Sequence, residues 1–230
     1  MEKTPKLSDR VNAGMIKFRF HEKGSEINVL CLGAHPDDIE IGCGGTILKL
    51  IEEVDEAQFN WVVFSGDQKR AEEARMSADT LIDKRKMNKF EIKKFRESYF
   101  PYDGASIKDY FEELKEAVSP DIVFTHYRDD AHQDHRLVSN LTWNTFRDNL
   151  ILEYEIPKYD GDLGIPNLFV HLDDSIVKKK IKTLLDVYRT QLGRKWFTED
   201  TFRSILRIRG MESNSPSKYA EAFHCRKIVF

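Results

Sequence analysis

An almost wholly apolar run, Ile27–Leu32 (INVLCL), ends at Gly33 and passes directly into Ala34-His35-Pro36-Asp37-Asp38-Ile39-Glu40. Such a run reads as a strand buried on both faces of a parallel sheet. A strand of that kind should not empty into an imidazole and several carboxylates without cause, because packed carboxylates repel one another and are costly to take out of water. A bound cation removes that cost. Whatever fold the chain adopts must therefore open, at the end of this strand, onto something that needs His and Asp together.

The rest of the chain repeats the same grammar. Ile39–Glu53 carries Ile41, Ile47, Leu48, Leu50 and Ile51 at about helical spacing, and Phe59–Phe64 (FNWVVF) reads as a second strand. Lys69–Ile82 predicts a helix with Ala74, Ala78 and Leu81 inward, and Lys108–Val118 predicts an amphipathic helix closed by Pro120. Asp121–Thr125 (DIVFT) reads as another buried strand, followed by a helix over Gln133–Arg147. Leu150–Glu155 and Leu168–His171 read as strands, and Ile176–Thr190 as a helix with Ile181, Leu184, Leu185 and Tyr188 inward. Lys89–Ser98 has no clear period and takes no assignment. Alternating strands and helices predict an α/β fold, a doubly wound and mainly parallel sheet with helices on both faces. A chain of 230 residues suits a single domain, with residues 1–25 as an extension or edge element.

Composition excludes some partners. Lys and Arg number 36 against 39 Asp and Glu, a net charge of -3, which gives no electrostatic reason to expect nucleic acid or an anionic membrane surface. Met1–Arg10 is polar and unlike a signal peptide, and the apolar runs are too short to span a bilayer. Cys31, Cys43 and Cys225 form no paired spacing and read as reduced thiols in or near the core. These features predict a cytoplasmic protein. Assembly into a homo-oligomer is left open.

Ligand sites in doubly wound folds lie at the carboxyl ends of strands. A second chemistry-bearing segment falls at such an end: Ala131-His132-Gln133-Asp134-His135, directly after Asp129-Asp130. His35 and Asp38 stand three apart, so a tight turn or helix start can aim both at one point. The second segment adds two imidazoles. Two His and one carboxylate leave a coordination position open for water, the usual arrangement of a catalytic zinc. Either segment alone also reads as a helix cap and loop. Their coincidence at the ends of two buried strands favours a metal site.

Ala34-His35-Pro36-Asp37-Asp38-Ile39-Glu40 resembles the AHPDDxE signature of the LmbE-like, or PIG-L-type, N-deacetylases, and His132-Gln133-Asp134-His135 resembles their HxDH signature, in the same order and separation. The resemblance implies a Rossmann-like fold and one Zn²⁺ per chain held by His35, Asp38 and His135. It implies Asp37 as general base and His132 as the group that meets the developing charge, with Asp134 holding His132 in orientation. Arg70 is similar to a family arginine that contacts substrate, though it also reads as a solvated helix charge. Glu40 would support the first cluster from behind, or is simply an acid favoured at a helix N-terminus. The implied reaction removes an acyl group, most simply acetyl, from the amide nitrogen of an N-acetylated amino sugar or sugar conjugate. Metal-activated water attacks, Asp37 takes its proton, zinc and a protonated His132 stabilise the oxyanion, and His132 or Asp37 protonates the departing amine. In one respect the sequence departs from the pattern. Some relatives carry a tyrosine two residues before the first histidine of HxDH; Asp130 stands there, which cannot donate when ionised, and Tyr127 is the nearest phenol in sequence.

Two rival classes remain. Gly42-Cys43-Gly44-Gly45 suggests a phosphate loop, hence a nucleotide-sugar binding protein or glycosyltransferase. The dinucleotide fingerprint, however, lies between strand and helix start, a place taken here by His-Pro-Asp-Asp. The glycines therefore read as close helix packing. A non-catalytic metal-binding module is the other rival, and Asp37 and His132, which the metal does not need, argue against it. Tyr154–Asp162, Arg207–Gly210 and Tyr219–Phe223 are similar to segments of bacterial relatives in sugar pathways. They read either as substrate-shaping elements or as a structured loop and a C-terminal strand.

Overall fold

The computed structural model describes residues 26–229, and the expected N-terminal extension lies outside them. In β1 (Ile27–Gly33) successive side chains enter two different cores: Val29 and Cys31 join one cluster, Leu30 and Leu32 the other. That is the two-residue period of a strand covered on both faces. The chain continues through α1 (Asp38–Glu53), β2 (Ala57–Val63), α2 (Gln68–Leu81), β3 (Met87–Ile92), α3 (Gly104–Ala117), β4 (Ile122–His126) and α4 (Gln133–Thr145). It ends with β5 (Leu150–Tyr154), β6 (Leu168–His171), α5 (Asp174–Val187), α6 (Glu199–Glu212) and β7 (Ala220–Cys225). The seven strands form one sheet in the order β3-β2-β1-β4-β5-β7-β6. The first five pair in parallel, whereas β7 is inserted antiparallel to both β5 and β6. The expected α/β fold with a mainly parallel sheet is what forms.

Elements read from apolar runs appear within a few residues of their expected places. The aperiodic segment Lys89–Ser98 overlaps β3, and no sequence signal marks α6. β3 is the sheet edge, only partly buried and spelled MNKFEI, so no apolar run announces it. α6 buries just Phe202, Leu206, Arg209 and Gly210. The buried Arg209 is paired with Glu155 at 2.5 Å, an inward cation that breaks the apolar pattern.

Two glycines of α1 explain themselves by close approach. A Cβ at Gly42 would lie 2.2 Å from the Tyr154 ring, and one at Gly45 would meet Leu172 at 2.5 Å and Glu221 at 2.8 Å. These glycines sit inside the helix against β5 and β7, which is the packing reading, and no phosphate could reach their backbone. The same contact carries a buried ion pair. Lys180 on α5 donates to Glu221 on β7 and to the Ile41 carbonyl, each at 2.6 Å. Glu221 also accepts from the Gly45 and Thr46 backbone N–H groups at 2.7 and 2.6 Å. α1, α5 and β7 are thus tied by one polar network in which each charge is satisfied.

Candidate metal centre

β1 and β4 are neighbours, but the chain leaves β1 toward β2 on one side and β4 toward β5 on the other. This is the switch point of a doubly wound sheet, where the strand ends splay and leave a crevice. Both His- and Asp-rich segments emerge there. After β1 the chain turns sharply, with Asp37 at φ 97 as the residue before α1. The His35 N–H donates to Asp38 Oδ2 at 2.7 Å, which turns the two side chains toward one point as their spacing predicts.

Three donor atoms meet at that point. His35 Nδ1 lies 3.4 Å from Asp38 Oδ2, His135 Nε2 lies 3.6 Å from the same oxygen, and the two ring nitrogens are 3.2 Å apart. Bonds of about 2.0–2.1 Å in a tetrahedron put ligands about 3.3–3.4 Å from one another. The residues present therefore fit zinc on donor chemistry and on spacing. The electrostatics agree. Burial opposes a charge on His35, but Asp38 and Asp134 outweigh it and lift its pKa to about 10. Burial likewise opposes ionised Asp38, yet His135, His126 and His35 hold it well below the usual carboxylate range. Burial, helped by the neighbouring His126, pushes His135 down to about 3, which leaves its ring neutral and able to act as a ligand.

Each imidazole of the trio is braced from behind by a carboxylate, the arrangement that fixes ring orientation and tautomer in metal sites. His35 Nε2 meets Asp134 Oδ2 at 3.0 Å, and Asp134 is itself held by the N–H groups of Ser98 at 2.6 Å and Phe100 at 3.2 Å. His135 Nδ1 meets Asp130 Oδ2 at 2.9 Å, and Lys158 stands 3.0 Å from that oxygen. This corrects one expectation. The Asp134 carboxylate braces His35 rather than His132, because the first turn of α4 carries it away from the His132 ring. Asp130, which displaces the tyrosine of some relatives, is the brace for His135.

Asp37 and His132 flank the trio. Burial and the adjacent Asp38 raise the Asp37 carboxyl well above its ordinary range, against the pull of Arg70 and His35. A raised carboxyl is what a base working near neutrality needs. His132 caps α4, and its Nδ1 accepts the Asp134 N–H at 3.2 Å. The proton of its neutral ring therefore sits on Nε2. Burial and the charge of His35 hold its pKa below the ordinary value, against the pull of Asp134 and Asp38. Arg70 is brought to the site, but its guanidinium is engaged by the Pro36 carbonyl at 3.0 Å and Glu97 at 2.9 Å, and stands 3.5 Å from Asp37. Tyr127 turns aside to stack on His224 at 3.8 Å between ring centroids.

Glu40 points away from the donors and accepts a hydrogen bond from Tyr188 of α5. Burial raises its carboxyl from 4.5 to about 7, against that hydrogen bond. Because the folded value lies above the unfolded one, the stability carried by protonated Glu40 is complete below about pH 4.5 and is lost as pH rises through 7. Glu40→Gln keeps the acceptor for Tyr188 and removes the titration. Relative to wild type the variant should gain on the order of 2–3 kcal/mol between pH 5 and pH 8. Urea midpoints of both proteins at the two pH values check this, and parallel pH dependence would contradict it.

The sequence reading passed over His126, Asp130's bracing role and Lys158. His126 ends a buried strand at the switch-point crevice, and that position alone was the signal available for it. Asp38, His126 and His135 form one group of clustered donors, and His35, His132 and His135 form another. Lys158 belongs to the segment read as substrate-shaping. It bridges Asp130 and Asp162 at 3.0 and 2.5 Å, and Asp162 accepts the Ala131 N–H at 2.6 Å. The β5–β6 connection thus fastens the loop that carries His132 and His135.

Comparison with known proteins gives the same site a family. The model of GlcNAc-PI de-N-acetylase matches residues 30–146, which include both signature segments. Among solved structures, the N,N'-diacetylchitobiose deacetylase of Pyrococcus horikoshii is similar with a TM-score of 0.65 at 24% identity, over 86% of this chain and 82% of that one. A zinc-inhibited form of the teicoplanin deacetylase Orf2 is similar with a TM-score of 0.62 at 12% identity, over 85% of this chain and 96% of that one. The 4-carboxy-2-hydroxymuconate hydratase GalB of Pseudomonas putida is similar with a TM-score of 0.67 at 16% identity, over 89% of this chain and 98% of that one. The fold is thus shared by proteins of different reaction, and the reaction has to be argued from the site.

Proposed function

Because the chain belongs to the GlcNAc-PI de-N-acetylase family, we propose that it is a zinc-dependent hydrolase that removes an acetyl group from the amide nitrogen of an N-acetylated amino sugar or sugar conjugate. The observation that carries this reading is the meeting of His35, Asp38 and His135 at tetrahedral spacing, with Asp37 adjoining. His35 Nδ1, Asp38 Oδ2 and His135 Nε2 would hold one ion. Bound there, zinc supplies Lewis acidity to the amide carbonyl and brings the pKa of water toward neutrality.

The chain's own residues account for the remaining steps. Asp37 takes a proton from the attacking water, and its raised carboxyl then gives that proton to the departing amine nitrogen. One group serves as base and then as acid. His132 offers its Nε2–H to the oxygen that becomes negative as the carbonyl carbon turns tetrahedral. Arg70, 3.5 Å from Asp37, opposes the rise of its carboxyl. Substrate contact by Arg70 would require it to leave Glu97. The matched family description and two of the similar structures name acetylated sugars or a deacetylase, which supports the substrate class; the bracing of both imidazoles by carboxylates supports the metal. We place the activity in the cytoplasm, in line with the reduced thiols, and no helix among the described residues is long and apolar enough to cross a membrane.

Zinc-loaded protein incubated with N-acetylglucosamine, its disaccharide and its nucleotide and lipid conjugates should release acetate and a primary amine in equal amounts from at least one of them. Addition of water to an unsaturated carboxylic acid, with no amine released from any N-acetyl sugar, would contradict the reading and favour the hydratase chemistry found on the same fold.

A further inference from the structure

His126 ends β4 with none of its surface exposed, and it lies against Asp38, His135 and the residue before His35. Its ring stacks on His135 with centroids 3.9 Å apart and planes 17° from parallel. Its Nε2 lies 3.2 Å from Asp38 Oδ2. The same nitrogen accepts the Ala34 N–H at 2.9 Å, and Ala34 is the residue bonded to His35. Tyr154, whose hydroxyl donates to the Leu32 carbonyl at 2.6 Å, closes the other side at 3.3 Å from Nε2. Acceptance of the Ala34 N–H leaves the ring proton on Nδ1, and Nδ1 is buried without a partner.

A buried, unpartnered ring nitrogen costs about 1–3 kcal/mol, so packing alone favours an apolar residue here. An aromatic hydrocarbon would stack on His135 equally well. What only the imidazole adds is an acceptor at one place, which pins the peptide before His35. We propose that His126 is a positioning residue of the metal centre, fixing His35 through Ala34 and His135 through its ring face. The inference rests on the metal reading given above.

The test uses His126→Phe, which keeps a stacking ring and loses the acceptor, and His126→Gln, whose amide oxygen can take the Ala34 N–H in place of Nε2. Zinc affinity is read by competition with a chromogenic chelator, the ligand geometry by the visible absorption of the cobalt-substituted protein, and folding by the melting temperature. Residues that orient metal ligands typically contribute 10–100-fold in affinity. His126→Phe should bind zinc about 10-fold more weakly with a shifted cobalt band, and His126→Gln should lie between it and wild type. If both variants fold and keep wild-type affinity and an unshifted band, His126 is only packing and the proposal is overturned. Should the Phe variant fail to fold, His126→Asn, whose oxygen is one bond too short to take the place of Nε2, replaces it: a shifted band supports the proposal and an unshifted one overturns it. Wild-type protein that takes up neither ion overturns the metal reading itself, and with it this inference.

Discussion

Asp37→Asn should lower kcat by about 10²–10⁴ while leaving the zinc content and the melting temperature where they are in wild type. The variant is informative because the position is unusual. Asp37 holds φ 97, a left-handed backbone that Asn is among the few residues to accept. The turn into α1 should therefore survive. The three donor atoms belong to other residues, so the metal should stay. What Asn cannot do is take a proton and return it. The carboxyl that does so is raised above its ordinary range by burial and by Asp38. Elemental analysis, a melting curve and initial rates on one turned-over substrate make the comparison. Wild-type turnover in Asp37→Asn would assign the base to another group.

Lys180→Met should destabilise the protein by about 3–5 kcal/mol, read as a fall in the urea midpoint. The side chain is 3% exposed, and its partner Glu221 is 2% exposed. Removal of the cation leaves a buried carboxylate facing the Ile41 carbonyl that Lys180 had satisfied. The loss comes from that stranded charge rather than from the worth of the pair, because burying both ions was itself costly. It follows that the double variant Lys180→Met/Glu221→Gln should recover a large part of the loss, since neutral Gln strands no charge and its one amide oxygen can still accept from Thr46. Equal stability of single and double variants would show that the damage lies in packing. Catalytic constants, measured well below the melting temperature, should change little in either.

How far the sequence spoke can be seen residue by residue. β1 and β4 were legible because both faces of each strand are covered, so apolar runs mark them. The meeting of His35 and Asp38 was legible because both lie in one turn. That His135 joins them followed only from the strand-end rule and the family resemblance, since 100 residues separate it from His35. The braces were out of reach. Asp134 lies two residues from His132, which invites pairing them, but capping of α4 by the His132 ring turns the Asp134 carboxylate toward His35. β3 carries no apolar run because it is an edge, and α6 hides behind an inward Arg209. The glycines of α1 were read as packing, and the ring of Tyr154 lies where a Cβ at Gly42 would be.

The proposed metal centre is the trio at the crevice between β1 and β4. Elemental analysis of the purified wild-type chain and of His135→Ala, after exposure to zinc and extensive dialysis, addresses it directly. About one zinc per wild-type chain and little in the variant, with both proteins folded, is the result expected from three protein ligands. Undiminished zinc in a folded His135→Ala protein would contradict it.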